Sequence, residues 1–141
     1  MKNEHGITLV ELLISIFIIS VISTLSIAFY ARFLTQNSVE DTANRLVGSL
    51  RKAQIYSMSG KQNGTWGVKY TVGTKTLTLY LTGNSAFDEN FTHNNNIAIS
   101  GFTDIPFTKI TGRTVTPATI TITGASSSKT VTVNSEGFVS K

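Results

Sequence analysis

The chain contains no cysteine. No disulfide can therefore staple any part of it, and thiol usage carries no information about redox compartment. Proline is nearly absent as well, with two in 141 residues, and neither proline nor glycine falls between Ile7 and Val47. Nothing in that stretch forces a helix to break. Histidine is equally scarce. His5 and His93 stand in no metal-ligand spacing, so a histidine-based zinc site is not expected. Charge is missing from one long stretch but for a single group: Ile7 to Ala31 is 25 residues long, and Glu11 is its only formally charged side chain. Over the whole chain the net charge of +4 is mild and spread out, unlike the clustered basic tracts of nucleic-acid or acidic-lipid binders.

What fills the uncharged stretch is hydrocarbon. A helix rises about 1.5 Å per residue, so roughly 20 apolar residues cross a bilayer core of about 30 Å. A carboxylate inside such a span costs about 2.5–3.5 kcal/mol at the centre and less near the boundary, so Glu11 needs either a route to water or a cation. The six residues ahead of the run, "MKNEHG", are polar and end in Gly6. A secretory signal would place its cleavage point after the apolar core. Here the candidate point lies before it, and cutting after Gly6 would make Ile7 the new N-terminus. Its amine, with an ordinary pKa of about 7.7–8.0, would be mostly cationic at neutral pH and one helical turn from Glu11.

After Arg32 the pattern changes. Val39, Ala43, Leu46, Leu50 and Ala53 recur at intervals of four and three, with Glu40, Asp41, Arg45, Arg51 and Lys52 between them. That spacing predicts an amphipathic continuation of one helix of about 50 residues, with Gly60 as its stop. Beyond Gly60 threonine dominates and the period falls toward two, which predicts strands. Trp66, Val68, Tyr70 and Val72 would share one face, as would Leu77, Leu79 and Leu81, with Gly73-Thr74 as a hairpin turn. Ile97 with Ile99, and Ile105 with Phe107, read as short strands. "TITITGASSSKTVTV" reads as a second hairpin, with Ile120 and Ile122 inward against Val131 and Val133, and Phe138-Val139 as an edge. Residues 83–96 are polar and read as a mobile surface loop. The expected fold class is α+β: a long N-terminal helix, its first half in the membrane, packed on an antiparallel β-sheet.

No catalytic, cofactor-binding or metal-binding constellation emerges. Asp88 and Glu89 lack a calcium-loop pattern and read as a solvated acidic pair. Ser126, Ser127 and Ser128 read as turn residues without a nucleophile elbow. Tyr56, Tyr70 and Tyr80 read as core or rim. The chain is not expected to be an enzyme.

Gly6 followed by Ile7, Thr8, Leu9, Val10, Glu11, Leu12, Leu13 and Ile14 resembles the class III signal of type IV prepilins and type II secretion pseudopilins. The resemblance implies that a prepilin peptidase cuts between Gly6 and Ile7 and methylates Ile7, and that Glu11 meets the N-terminal amine of a neighbouring subunit during assembly. Ile7 departs from the phenylalanine most common at that place. Many relatives close a C-terminal loop with a disulfide, and this chain has none. Many also carry a helix breaker in the membrane half, where Ser15, Ser20, Ser23 and Ser26 stand here. "RLVGSLRKAQIYSMSG", Trp66-Gly67-Val68, "IPFTKITGRTV" and "KTVTVNSEGFVS" resemble GspH/FimT-type minor pilins. The implied organisation is a leader over 1–6, a transmembrane half-helix over 7–33, an amphipathic half-helix over 34–59 and a β-sheet domain over 60–141.

The implied protein is a minor pilin or pseudopilin. Its implied partners are other subunits, the prepilin peptidase and the inner-membrane assembly platform, and its implied place is a single-pass inner-membrane anchor with the C-terminal domain outside the cytoplasm. A major pilin and a DNA-binding minor pilin of natural transformation are the alternatives. The DNA-binding alternative is disfavoured, because the C-terminal end from Glu136 to Lys141 contains an acid and no arginine.

Overall fold

The computed structural model describes residues 7–141 except Ser126. Helix α1 runs from Leu9 to Met58 without interruption. Thr8 caps it: the Glu11 amide donates to the Thr8 hydroxyl at 3.3 Å, the N-cap to N3 geometry that satisfies one of the four orphan N–H groups of a helix start. At the other end Gly60 takes a left-handed conformation with φ 63°, which only glycine adopts without strain. The chain divides into two compact units, Met1–Leu34 and Thr35–Lys141.

In the second unit the apolar stripe of α1 is buried as its spacing predicts: Val39, Ala43, Leu46, Leu50 and Ala53 are fully inaccessible. Eight strands follow, β1 Trp66–Thr71, β2 Thr76–Leu81, β3 Asn84–Thr92, β4 Ala98–Ser100, β5 Asp104–Phe107, β6 Ala118–Gly124, β7 Ser127–Val133 and β8 Val139–Ser140. They form two antiparallel sheets, ordered β3-β2-β1-β5 and β4-β6-β7-β8. The expected single sheet is thus two. Trp66, Val68, Leu77, Leu79, Ile105 and Phe107 from one, and Ile120, Ile122, Val131 and Val133 from the other, join the helix stripe in one core. Each fully buried side chain of the Leu, Ile or Val kind contributes about 1.5–3 kcal/mol.

Several local expectations are corrected. Residues 83–96 are not a loop: nine of them form the edge strand β3, paired with β2 from Thr76↔Thr92 to Leu81↔Asn84 with a register shift between Leu79 and Leu81. Its residues are largely exposed, so no apolar alternation marks it; two contacts to α1 hold it, Lys52 to Glu89 at 2.6 Å and the Arg45 guanidinium 4.6 Å over the Phe91 ring. Val72 leaves the apolar face of β1 because the chain turns there, Lys75 donating back to the Val72 carbonyl, and Val72 is 70 % exposed. Ser127 and Ser128 lie in β7, opposite Gly124 and Thr123, and Ser126 lies outside the described residues. Phe138 is exposed, and only Val139 of that pair is buried. The Asp88-Glu89 pair is not solvated as a unit: alternation along β3 sends Glu89 to Lys52 and Asp88 to Lys69.

One buried polar link ties the helix end to the first strand. Ser57 is fully buried; its hydroxyl accepts the Trp66 N–H at 2.8 Å and donates to the Trp66 carbonyl at 3.3 Å. It gives both backbone groups at the start of β1 a buried side-chain partner beside their pairing with Phe107 of β5. Across the same strand, a Cβ on Gly67 would lie 2.8 Å from the Tyr80 hydroxyl. The missing side chain lets Tyr80 cross to Asp104, donating to its carboxylate at 2.8 Å, and burial pushes the phenol well above the ordinary tyrosine range.

Ser57→Ala should lower unfolding free energy by about 1–2 kcal/mol, since it removes two buried hydrogen bonds each worth about 0.5–1.5 kcal/mol. Ser59→Ala, which removes one exposed hydroxyl bonded to the Tyr56 carbonyl, should cost under about 0.5 kcal/mol. Urea titration of the detergent-solubilised chain, followed by tryptophan fluorescence, checks the pair.

Candidate functional site

The first unit has almost nothing to bury its apolar surface against. From Ile7 to Leu34 every side chain whose accessibility is described is exposed or nearly so, Leu9 at 76 % and Ile27 at 72 % among them. The most apolar 18-residue window of α1 has a mean hydropathy of 2.6 and none of it is buried, so the segment is long and apolar enough to cross a membrane. The hydroxyl groups in this region are satisfied within the helix. Ser15, Ser20, Ser23 and Ser26 each donate to the carbonyl four residues back at 2.7 to 2.8 Å, and Thr24 to Val21 at 2.9 Å. Such back-bonding removes the penalty a hydroxyl would meet in hydrocarbon and leaves the helix intact.

Glu11 is the exception. It occupies the third helical position, where a carboxylate faces the positive end of the helix dipole. Its backbone N–H is engaged by Thr8, but among the described residues its carboxylate has no ion-pair or hydrogen-bond partner. Gly6, on the other side of the expected cleavage point, lies outside the described residues; Ile7 is the first described one and is exposed. Sequence reasoning missed a second feature. Ile22, Ser26, Phe29, Tyr30 and Phe33 line a shallow hollow on the helix surface, and Arg32 stands among these aromatics. Aromatic rings followed by a cation are the composition that membrane–water boundaries favour, a signal present in the sequence.

The second unit was the candidate for phosphate contact, and its cations are largely occupied. Arg113 pairs with Glu136, Lys129 and Lys141 both with Glu40, Lys69 with Asp88, Lys52 with Glu89 and Arg45 with Asp41. Lys61 lies over the Tyr56 ring at 3.5 Å, Lys75 donates to the Asn95 carbonyl, and Lys109 to Asn63. Lys129 is a strand residue of β7. The bonds from Lys141 and Lys129 hold the Glu40 carboxyl below the ordinary carboxylate range. That link stabilises the fold above the ordinary carboxylate pKa and is lost as pH falls through the lowered value. His93 lies in the connection between β3 and β4, as expected, but it is buried there, stacked on Tyr70, with Nε2 2.9 Å from the Tyr70 hydroxyl and Nδ1 3.0 Å from the Asn94 carbonyl. No group of three or more His, Cys, Asp or Glu side chains able to hold a metal occurs among the described residues.

Residues 1–27 match the prokaryotic N-terminal methylation motif, in agreement with the signal read from Gly6 to Ile14. No curated protein sequence matches the chain. Among solved structures, the minor pseudopilin EpsH from the type 2 secretion system of Vibrio cholerae superimposes with a TM-score of 0.57 at 15 % identity, over 73 % of this chain and 94 % of that one. The fold is that of a pseudopilin. The long N-terminal helix packed on antiparallel sheets belongs to that fold, as the sequence led us to expect, and the low identity carries the likeness no further than architecture.

On a pseudopilin fold whose cations are paired in this way, double-stranded DNA should bind no more tightly than about micromolar at physiological salt, because each neutralised phosphate needs an available cation. Titration of the detergent-solubilised chain at two salt concentrations checks this. A tighter, salt-sensitive affinity that disappears in the Arg113→Ala, Lys129→Ala double variant would contradict it.

Proposed function

We propose that this chain is a minor pilin or pseudopilin subunit. Its residues 7–33 anchor it in the inner membrane, its C-terminal domain stands outside the cytoplasm, and its N-terminal helix joins it to other subunits in a type IV pilus or type II secretion pseudopilus, in an initiation complex or at the tip. Prepilin peptidase removes residues 1–6 between Gly6 and Ile7 and methylates Ile7; the assembly platform then takes up the mature chain. The single observation that carries the reading is an exposed apolar helix with one carboxylate, Glu11, that has no partner among the described residues and stands a helical turn from the amine that cleavage would create.

The physical logic runs from that carboxylate. In hydrocarbon an unpaired charge is expensive, and a cation within about 4–6 Å favours its ionised form. The amine of Ile7 supplies a cation at the correct depth only after the leader is gone, and methylation leaves it basic. Uncleaved, the chain would carry a neutral peptide bond at that point, so processing switches on the ability to compensate Glu11 in a neighbouring subunit.

Intact-mass measurement of protein extracted from membranes tests the processing step. The expected species begins at Ile7 and carries one extra methyl group, and Gly6→Val retains the leader. Recovery of the natural chain with Met1–Gly6 attached, from cells with a working prepilin peptidase, would contradict the proposal.

A further inference from the structure

Asp88, Glu89, Asn90, Phe91 and Thr92 read "DENFT". Within it, Asn90-Phe91-Thr92 satisfies the asparagine-X-threonine pattern of an N-glycosylation acceptor, and Asp88 adds an acid two residues before the asparagine. The pattern alone is common in a chain rich in threonine and asparagine; what distinguishes this copy is where the fold puts it. It lies in β3, the outermost strand of its sheet, with one backbone edge paired to β2 and the other open. In an extended strand alternate residues share a face. Asp88, Asn90 and Thr92 therefore stand on the same side, while Glu89 and Phe91 turn to Lys52 and Arg45 of α1. Asn90 and Thr92 are exposed on this face of the extended strand, and Asp88, on the same face, is partly buried.

The side chains agree with that role. The carboxamide oxygen of Asn90 accepts from the Thr78 hydroxyl at 2.7 Å, which orients the amide and leaves Nδ2 without a partner among the described residues. Thr92 is exposed, its hydroxyl 3.5 Å from that of Thr76. Asp88 is harder to explain by folding. Its side chain is only 17 % exposed, its ion pair to Lys69 is long at 3.7 Å, and its Oδ1 is buried with no hydrogen-bond partner. A buried polar atom left in this condition costs stability, and the partly exposed carboxylate lies on the face of the strand that carries Asn90.

We propose that Asn90 is an acceptor for an N-linked glycan delivered from a polyprenyl-pyrophosphate-linked oligosaccharide. Asn90 Nδ2 attacks the anomeric carbon; an N–C bond forms as the C–O bond to pyrophosphate breaks. The electron pair of that bond leaves with the lipid pyrophosphate, and the displaced amide proton passes to a base on the transferase. The second asparagine of this pattern, Asn63-Gly64-Thr65, is a poor acceptor by comparison. Lys61 occupies the place of the acid, and Asn63 takes a left-handed conformation with φ 55°. In the cell the reaction rests on the reading above that puts this domain on the outer side of the membrane.

A reaction with purified components tests the acceptor independently of export. The detergent-solubilised full chain is incubated with a bacterial oligosaccharyltransferase and its lipid-linked donor, with a peptide copy of residues 86–94 alongside, and both are read by intact mass and peptide mapping. One glycan should appear on Asn90. It should be lost in Asn90→Gln and Thr92→Ala, kept in Thr92→Ser and unchanged in Asn63→Gln. Asp88→Asn should slow transfer by about tenfold or more, the scale of one lost charge-assisted contact, while its melting temperature stays level or rises. A chain that acquires no glycan, whether or not the peptide does, would overturn the proposal. So would a glycan that persists in Asn90→Gln, or an Asp88→Asn variant that melts lower and reacts at the original rate. None of these outcomes bears on cleavage at Ile7, which is read from protein recovered from cells.

Discussion

One negative charge in an apolar helix, without a partner among the described residues, constrains everything proposed for the first unit. Ile7 to Leu34 exposes hydrocarbon along its described length, and burying a side chain of the Leu or Ile kind is worth about 1.5–3 kcal/mol. The segment can be stable only where something apolar covers it. Its serine and threonine hydroxyls are already bonded within the helix, and up to Ala31 Glu11 is the one formally charged side chain, so Glu11 prevents the covering there from being indifferent. Lipid would accept the rest of the surface; a carboxylate asks for a cation. In the proposed function that demand gives a passive anchor a preferred partner, an amine that would exist only after Gly6 is separated from Ile7.

The second unit answers the same question differently. Its half of α1 buries its stripe beneath two sheets, and its polar groups find partners within the domain: Ser57 completes the start of β1, Gln54 donates to the Gly112 carbonyl at 3.1 Å, and Glu40 gathers Lys129 and Lys141. A domain with its charges paired internally has little left for a polyanion. This self-sufficiency suits a structural subunit whose assembly is directed by its helix. The exposed face of β3 is the place where the domain departs from it.

The features legible in the sequence were those carried by strong periodicity. The four-and-three spacing from Val39 to Ala53 marked the buried stripe residue by residue, and the absence of glycine and proline up to Val47 marked the continuity of α1. The hairpin β6–β7 was legible because threonine and β-branched residues alternate through it, down to the opposition of Ile120 and Val131. β3 was not, because an edge strand with both faces largely exposed needs no apolar alternation; β2 and two side chains of α1 hold it instead. The burial of His93 depends on Tyr70, 23 residues away, and no local pattern announces such a pairing. The division into two sheets rests on β1 choosing β5 and β6 choosing β4, pairings between segments far apart in the chain. At the candidate site Glu11 stood out by being alone, whereas the aromatics at Phe29, Tyr30 and Phe33 were hidden by the hydrophobicity around them.

The central claim is that Glu11 is retained for a neighbour's amine and not for the chain's own insertion. Glu11→Leu, expressed with the other subunits of its machine, separates the two by comparing its amount in the membrane fraction with its amount in isolated filaments. The account predicts that membrane levels and leader removal are unchanged, because a costly charge has been removed, while incorporation falls to background. Incorporation at the natural level would contradict it and would leave Glu11 as a helix-start carboxylate that reaches water on its own.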